Sequence, residues 1–329
     1  MNIKLAAKHE PEEVMMRDVY VNTLIDLAAQ DNRIVVLNAD LIKSVGMAAF
    51  QEKFPERTFN CGVQEANMIG IAAGLAATGK KPFAYSFATF ATRRCYDQIF
   101  LSAAYAGLNV NITGSDPGVS AAYNGGTHMA FEDMALMRAV PGAIVVDPAD
   151  STCLAALLRL ISEQHGVSYL RLYRREAAKI YETGSVFKIG KAVTLRLGKD
   201  VTIIACGIMV AEALKASDLL AARGIEAGVV DCFTVKPLDR EMVLNCAAES
   251  GAVVTAENHN VIGGLGSAVA ELLSEHLPTP LVRIGRQDQF GEVGPMKYLQ
   301  KAFGLTAGHI VVKTVELLGD IKHKKQTKK

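Results

Sequence analysis

The chain has 329 residues, 50% hydrophobic and 21% charged, with a formal net charge of +1. This composition excludes a disordered chain, provides for a large core in about two domains of roughly 150 residues each, and carries no global electrostatic footprint for nucleic acid. The charge is uneven: residues 322–329 hold five Lys and no acid, so the body is mildly acidic and the end reads as a solvated, flexible basic tail.

In chain order, short β-branched runs alternate with longer Ala/Leu-rich stretches. Strands are expected at residues 33–37, 82–85, 109–113, 143–146 and 168–172, and helices at 17–30, 65–77, 96–106, 131–139 and 151–164. Apolar strands alternating with helices indicate a parallel sheet covered on both faces. The pattern breaks near residues 179–191 and then restarts. Strands are expected at 201–206, 227–231, 252–256 and 281–284, with helices at 210–223, 240–250 and 264–276; residues 235–238 lead into the second of these. The expected architecture is therefore α/β with two domains, residues 1–190 and 191–321, each a mainly parallel sheet flanked by helices, followed by the tail at 322–329.

No run reaches the ~18 apolar residues of a membrane span, and the opening MNIKLAAKHEPEE turns acidic too soon for a secretory signal. Six cysteines are scattered without a CxxC pair, and seven His lack metal-ligand spacing. These features predict reduced thiols, no metal site and a cytoplasmic setting. The stretch ANMIGIAAGLAA (66–77) is apolar on every side, which predicts a buried helix. Gly70 and Gly74 weaken it by ~1 kcal/mol each, and close packing at a subunit interface gives them a reason.

In an open α/β sheet, sites form beyond the carboxyl ends of the strands. The residues expected there include Asp40 and Ser44 after the first strand and Phe87 and Phe90 after the second. The third is followed by a long Gly/Ser-rich loop, 114–128, that ends at His128, and the fifth by Arg174 and Arg175. Glu65 enters the first turn of an apolar helix, where partial desolvation lets a carboxyl share a proton with a partner. Phe87 and Phe90 are either core or a stacking surface for a planar ring. GxGxxG after the first strand, GxxxxGK[ST] and GxSxG are all missing, and GGLG at 263–266 serves helix packing as readily as phosphate binding.

Three segments together, GVQEANMIGIAAGLAATGKKPFAYSFATFATRRCYDQI, YNGGTH and ENHNVIGGLGSAVAE, resemble the transketolase-like thiamine diphosphate enzymes over nearly the whole chain. The resemblance covers the pyrimidine-binding and C-terminal domains. The GDG motif of the N-terminal domain, which holds Mg²⁺ and the diphosphate, does not occur. The chain thus resembles the C-terminal subunit of a split transketolase, which implies an N-terminal partner subunit and dimerisation through the pyrimidine domain.

The resemblance also implies site roles. Glu65 hydrogen-bonds the cofactor's aminopyrimidine ring nitrogen, Phe87 and Phe90 pack that ring, and Asp40 lies near the cofactor in the dimer cleft. Where full-length transketolases have a Tyr three residues after the second Phe, this chain has Arg93. His128 contacts substrate oxygens, and Asn124 stands where transketolases that bind a sugar hydroxyl have Asp. Arg17, Ser44, Ser115 and Arg174 hold a sugar phosphate, for which an arginine fork is suited. The implied reaction moves a two-carbon ketol unit from a ketose phosphate to an aldose phosphate. Alternatives on the same fold are the beta subunit of a 2-oxoacid dehydrogenase's decarboxylating component, a 1-deoxyxylulose-5-phosphate synthase-like enzyme, and a non-catalytic interaction subunit. The arginine pair argues against the first, and Glu65, Phe87 and His128 argue against the last.

Overall fold

A computed structural model of the chain describes residues 1–326. Its strands, in chain order, are β1 (Ile34–Asn38), β2 (Thr58–Asn60), β3 (Lys81–Phe87), β4 (Val110–Ser115), β5 (Ile144–Val146), β6 (Val167–Leu172), β7 (Val193–Arg196), β8 (Val201–Ala205), β9 (Ala227–Asp231), β10 (Thr234–Lys236), β11 (Val253–Asn260) and β12 (Leu281–Arg286). They form a seven-stranded sheet, β10-β5-β6-β4-β3-β1-β2, and a five-stranded sheet, β12-β11-β8-β9-β7. Every pair is parallel except β10–β5 and β7–β9. β1, β4, β6, β8 and β9 are buried along their whole length, as strands covered by helices on both faces must be.

The elements fall where the periodicity places them, with informative exceptions. β2, β7 and β10 are three or four residues long, too short for an alternation to register. Residues 235–238 lead into the helix Arg240–Ser250 as expected, but Val235 and Lys236 also belong to β10, which leaves the second half of the chain and adds an edge to the first sheet. The helix Glu65–Ala77 is only half buried: Met68, Ile69, Ala72 and Ala73 face the core, while Gly70, Ile71 and Gly74 are exposed. A Cβ on Gly70 or Gly74 would meet nothing within 4 Å, so the expectation of burial on every side does not hold within one chain. The expected flexible tail begins inside the helix Ala307–Gln326, and residues 327–329 lie outside the described residues. The segment Met296–His323 is long and apolar enough to span a bilayer. It is interrupted by Gly304, at φ +71°, and buries Leu299, Leu305, Ile310 and Val311 in the core.

A buried ionic cluster joins the two sheets. Arg171 on β6 is 1% exposed. Its Nε donates to Asp133 (2.8 Å), its Nη1 to Asp147 (2.9 Å) and its Nη2 to the carbonyl of Asn258 on β11 (2.9 Å). The Asn258 amide reaches the other way. It accepts from Val119 N–H (3.0 Å) and donates to the Pro117 carbonyl (2.9 Å), and a Cβ on Gly118 would collide with it. The second domain thereby grips the long loop that leaves β4.

Glu257 accepts from the N–H groups of Leu265 and Gly266, both at 2.7 Å, at the start of the helix Leu265–His276. The GGLG segment is therefore a packing device, its helix terminus closed by the chain's own carboxylate, and a side chain on Gly264 would collide with Glu257.

Candidate active site

The register of the first sheet gathers the candidate residues. Asn38 lies opposite Tyr85, Phe87 opposite Ser115, and Ser115 opposite Leu172, so the ends of β1, β3, β4 and β6 form one continuous edge. The loops and short helical turns that follow carry Asp40, Ser44, Phe90, Asn124, His128 and Arg174. Asp40 (φ +61°), Asp116 (φ +50°) and Ala122 (φ +46°) are, among the described residues, the non-glycine positions with positive φ, and all three lie along this edge. Strained backbone of this kind persists where the surroundings over-determine it, typically at functional sites.

Glu65 opens the helix Glu65–Ala77 and is 1% exposed. Ser86 Oγ donates to its Oε1 (2.8 Å) and Arg94 Nη1 to its Oε2 (2.7 Å). The desolvated carboxylate expected from sequence is present, but it carries two partners that composition did not disclose. Phe87, Phe90 and His128 meet edge to face: the ring centres of Phe87 and Phe90 are 6.1 Å apart, and that of His128 lies 5.3 Å from Phe87 and 5.0 Å from Phe90. Thr127 Oγ1 lies 3.0 Å from His128 Nδ1. The Arg94 guanidinium lies over Phe90, 3.8 Å from the ring centre. Arg93 turns away to pair with Glu132 at 2.7 Å and is not a wall of this cluster.

Beside the rings is a cavity of about 480 Å³ lined by Arg17, Asp116, Tyr123, Asn124, Arg174 and Arg175 among others. Arg174 links the two regions, its guanidinium 5.5 Å from the Phe87 ring centre. Arg174 Nη1 (2.9 Å) and Arg17 Nη1 (3.4 Å) both donate to the carbonyl of Ser44, and Arg174 Nη2 forms an ion pair with Asp116. Burial raises the Asp116 carboxyl above its ordinary range, against the pull of Arg174. Ser44 therefore anchors the arginines through its backbone, while its hydroxyl donates to Leu41 O at 2.9 Å. Ser115 is 1% exposed, with its hydroxyl beside the Tyr85 phenol and away from the cavity. Asp40 is exposed and pairs reciprocally with Asn60: its N–H donates to Asn60 Oδ1, and its Oδ1 accepts from Asn60 Nδ2, both at 3.0 Å. The sequence reading missed Arg94 and Asp116. The available signal was charge balance, since a buried Glu65 needs a nearby cation and a strand-end Arg174 needs an anion.

This donor set fits one half of thiamine diphosphate. A buried carboxylate suits a ring nitrogen able to share a proton, and three aromatic edges suit a flat heteroaromatic ring. Groups of three or more His, Cys, Asp or Glu placed to hold a metal are absent among the described residues.

Comparison with known proteins agrees with this fold. Residues 12–179 match the transketolase pyrimidine-binding domain and residues 190–310 the transketolase C-terminal domain. A 6-deoxy-6-sulfo-D-fructose transketolase subunit from Clostridium sp. (strain MSTE9) is 54% identical over 300 residues, 91% of this chain and 93% of the relative. An apulose-4-phosphate transketolase subunit from Phocaeicola vulgatus is 37% identical over 277 residues, 84% of this chain and 88% of the relative. A solved structure described as a split gene transketolase, inactive beta4 tetramer, superposes with a TM-score of 0.86 at 44% identity, covering 94% of this chain and 99% of the other.

Fold and site together define a subunit of the thiamine diphosphate-dependent transferases. The chain belongs to the transketolase family, of which it spans the pyrimidine-binding and C-terminal domains.

Proposed function

We propose that this chain is the C-terminal half of a split transketolase. With an N-terminal partner subunit it transfers a two-carbon ketol unit from a ketose bearing a terminal tetrahedral anion to an aldose phosphate. The observation that carries the reading is the Glu65 carboxylate and its aromatic cluster on the same strand-end edge as the Arg17–Arg174 cavity. Bound thiamine diphosphate supplies a carbon nucleophile and a ring that accepts the electron pair of the broken carbon–carbon bond.

The chain's own residues do the rest. Glu65 holds a proton between its carboxyl and the pyrimidine ring nitrogen. Phe87 and Phe90 orient the ring and exclude water. His128 hydrogen-bonds the substrate oxygens on which negative charge develops, the kind of contribution that is largest when preorganised. Arg17 and Arg174 hold the terminal anion, Asn124 takes a sugar hydroxyl, and Ser44 and Ser115 act from behind, fixing the loops. Asp40 lies at the rim facing the dimer cleft. The partner subunit holds Mg²⁺ and the diphosphate.

The exposed face of helix Glu65–Ala77, with Gly70, Ile71 and Gly74, packs against a second chain. The relative named for a sulfonated fructose supports sulfonate as well as phosphate as the terminal anion. Six free, buried cysteines support a reducing, cytoplasmic setting.

The test mixes the chain with an N-terminal subunit, thiamine diphosphate and Mg²⁺. Two-carbon transfer to ribose 5-phosphate is followed from xylulose 5-phosphate and, separately, from 6-deoxy-6-sulfo-D-fructose. Activity in the mixture alone, lost with Glu65→Ala, supports the reading and identifies the anion. Decarboxylation of a 2-oxoacid without sugar transfer would replace it with the dehydrogenase alternative.

A further inference from the structure

Arg94 makes two contacts at once. Its guanidinium donates to Glu65 Oε2 at 2.7 Å and lies over Phe90, 3.8 Å from the ring centre. A planar N–H donor that bonds the buried acid while lying on an aromatic face satisfies the two requirements set out above for the pyrimidine ring. We propose that Arg94 is a resident occupant of the pyrimidine seat, a built-in stand-in that must leave Oε2 before the cofactor ring can engage Glu65. The proposal rests on the cofactor reading above and adds a competition to it.

Three observations give it physical content. Glu65 is 2% exposed at the side chain, so in the chain without cofactor its charge needs a counter-ion, and Arg94 supplies one. The Arg94 side chain is 41% exposed, so it has room to swing into solvent when displaced, and its stem is not locked in the core. Ser86 Oγ bonds the other oxygen, Oε1, so the carboxyl keeps its orientation when Arg94 departs. Release of Arg94 also frees the lone pairs of Oε2, which turns Glu65 from an ion-pair member into a partner for the ring nitrogen. The neighbouring Arg93 does not compete for this seat, because it is paired with Glu132.

The experiment measures binding of 4-amino-5-hydroxymethyl-2-methylpyrimidine, the pyrimidine half alone, to the full chain by ligand-observed NMR and calorimetry. The variants are Arg94→Met, Arg94→Lys and Glu65→Gln, each checked for a wild-type circular dichroism spectrum. Met keeps the apolar stem but neither pairs nor stacks as a cation. The expected result is about three- to tenfold tighter binding with Arg94→Met, the size set by a half-exposed ion pair and a cation–π contact, and lost binding with Glu65→Gln. In ¹⁵N-arginine-labelled wild-type chain, the Arg94 side-chain signal moves to a free-guanidinium position on titration with the pyrimidine. Weaker binding with Arg94→Met, together with lost binding in Glu65→Gln, would make Arg94 a co-ligand and overturn the proposal while leaving the cofactor seat intact. Unchanged binding in Glu65→Gln, or none to any variant, would overturn the seat itself and the proposal with it. Arg94→Lys separates pairing from stacking: tightening there of the same size as in Met assigns the competition to the stacked guanidinium plane.

Discussion

Arg171 and Arg174 stand three residues apart, the first within β6 and the second just past its end, and their settings are opposite. Arg171 is fully buried, and each of its nitrogens donates to an acid or to a backbone carbonyl of the other domain. Arg174 is half-buried in a cavity wall, bonds Asp116 and the Ser44 carbonyl, and keeps its Nε without a partner. The same side chain is a rivet in one place and an open hand in the other. The difference is whether the surrounding backbone supplies every acceptor or leaves some for a ligand. Saturated polar networks rigidify, and unsaturated ones beside a cavity are where recognition happens.

The largest effect expected on the open side is chemical. Glu65→Gln keeps the shape and the Ser86 contact but removes the acid, and two-carbon transfer by the reconstituted enzyme is expected to fall by about 10²–10⁴-fold. Its melting temperature should stay close to wild type. A large loss of stability would place Glu65 with the riveted group instead.

On the closed side the expected loss is structural. Arg171→Ala leaves Asp133 and Asp147 buried without their cation, which destabilises by about 3–5 kcal/mol in urea unfolding. A stable but inactive Arg171 variant would break the comparison.

The same junction has a pH signature. Burial pushes Glu257 up to about 7 from its ordinary 4.5, and burial pulls His259 down to about 4 from its ordinary 6.5. The geometry agrees for His259, whose Nδ1 faces the Asn260 carbonyl at 2.7 Å while Nε2 accepts from Ala135 N–H at 3.4 Å, the neutral tautomer. Folded Glu257 holds a proton that the unfolded chain releases, so its contribution to stability falls as pH rises from about 4.5 to 7. Folded His259 refuses a proton that the unfolded chain takes, so its contribution falls as pH drops from about 6.5 to 4. The two slopes oppose each other where they overlap. Glu257→Gln removes the first, so the stability of the variant relative to wild type should rise by about 3 kcal/mol between pH 4.5 and 7. Parallel pH profiles of the two proteins would refute this.

The smallest effect tests the open hand directly. Arg174→Lys keeps the charge but loses the fork, and KM for the anionic sugar should rise about tenfold with kcat little changed. An equal fall in kcat would instead place Arg174 in contact with the reacting atoms.

Much of this was legible from residues alone. The central strands β1, β3, β4 and β6 announce themselves because both faces are buried and their sequences are rich in apolar and β-branched residues. Once they are located, the strand-end rule places Phe87, His128 and Arg174 together. What stayed hidden depends on contacts distant in sequence. Arg94 reaches back 29 residues to Glu65, and Asn258 reaches 139 residues to Val119. No local periodicity encodes either. The motif around Asn258 was visible, but its use as a clamp on the site loop was not. Helix Glu65–Ala77 misleads for a related reason: its apolar face signals burial without saying in which chain.

The strand β10 has a consequence for how the chain comes into being. Residues 234–236 pair with β5, which emerges from the ribosome nearly a hundred residues earlier. Until then the Val145–Val146 edge waits with its backbone groups unpaired, a ready template for the wrong partner. The two halves are stitched in synthesis order as well as in space. A cut at residue 190 would yield a first half with an open seam, so dissecting this subunit into working parts calls for carrying the Thr234–Lys236 strand along with it.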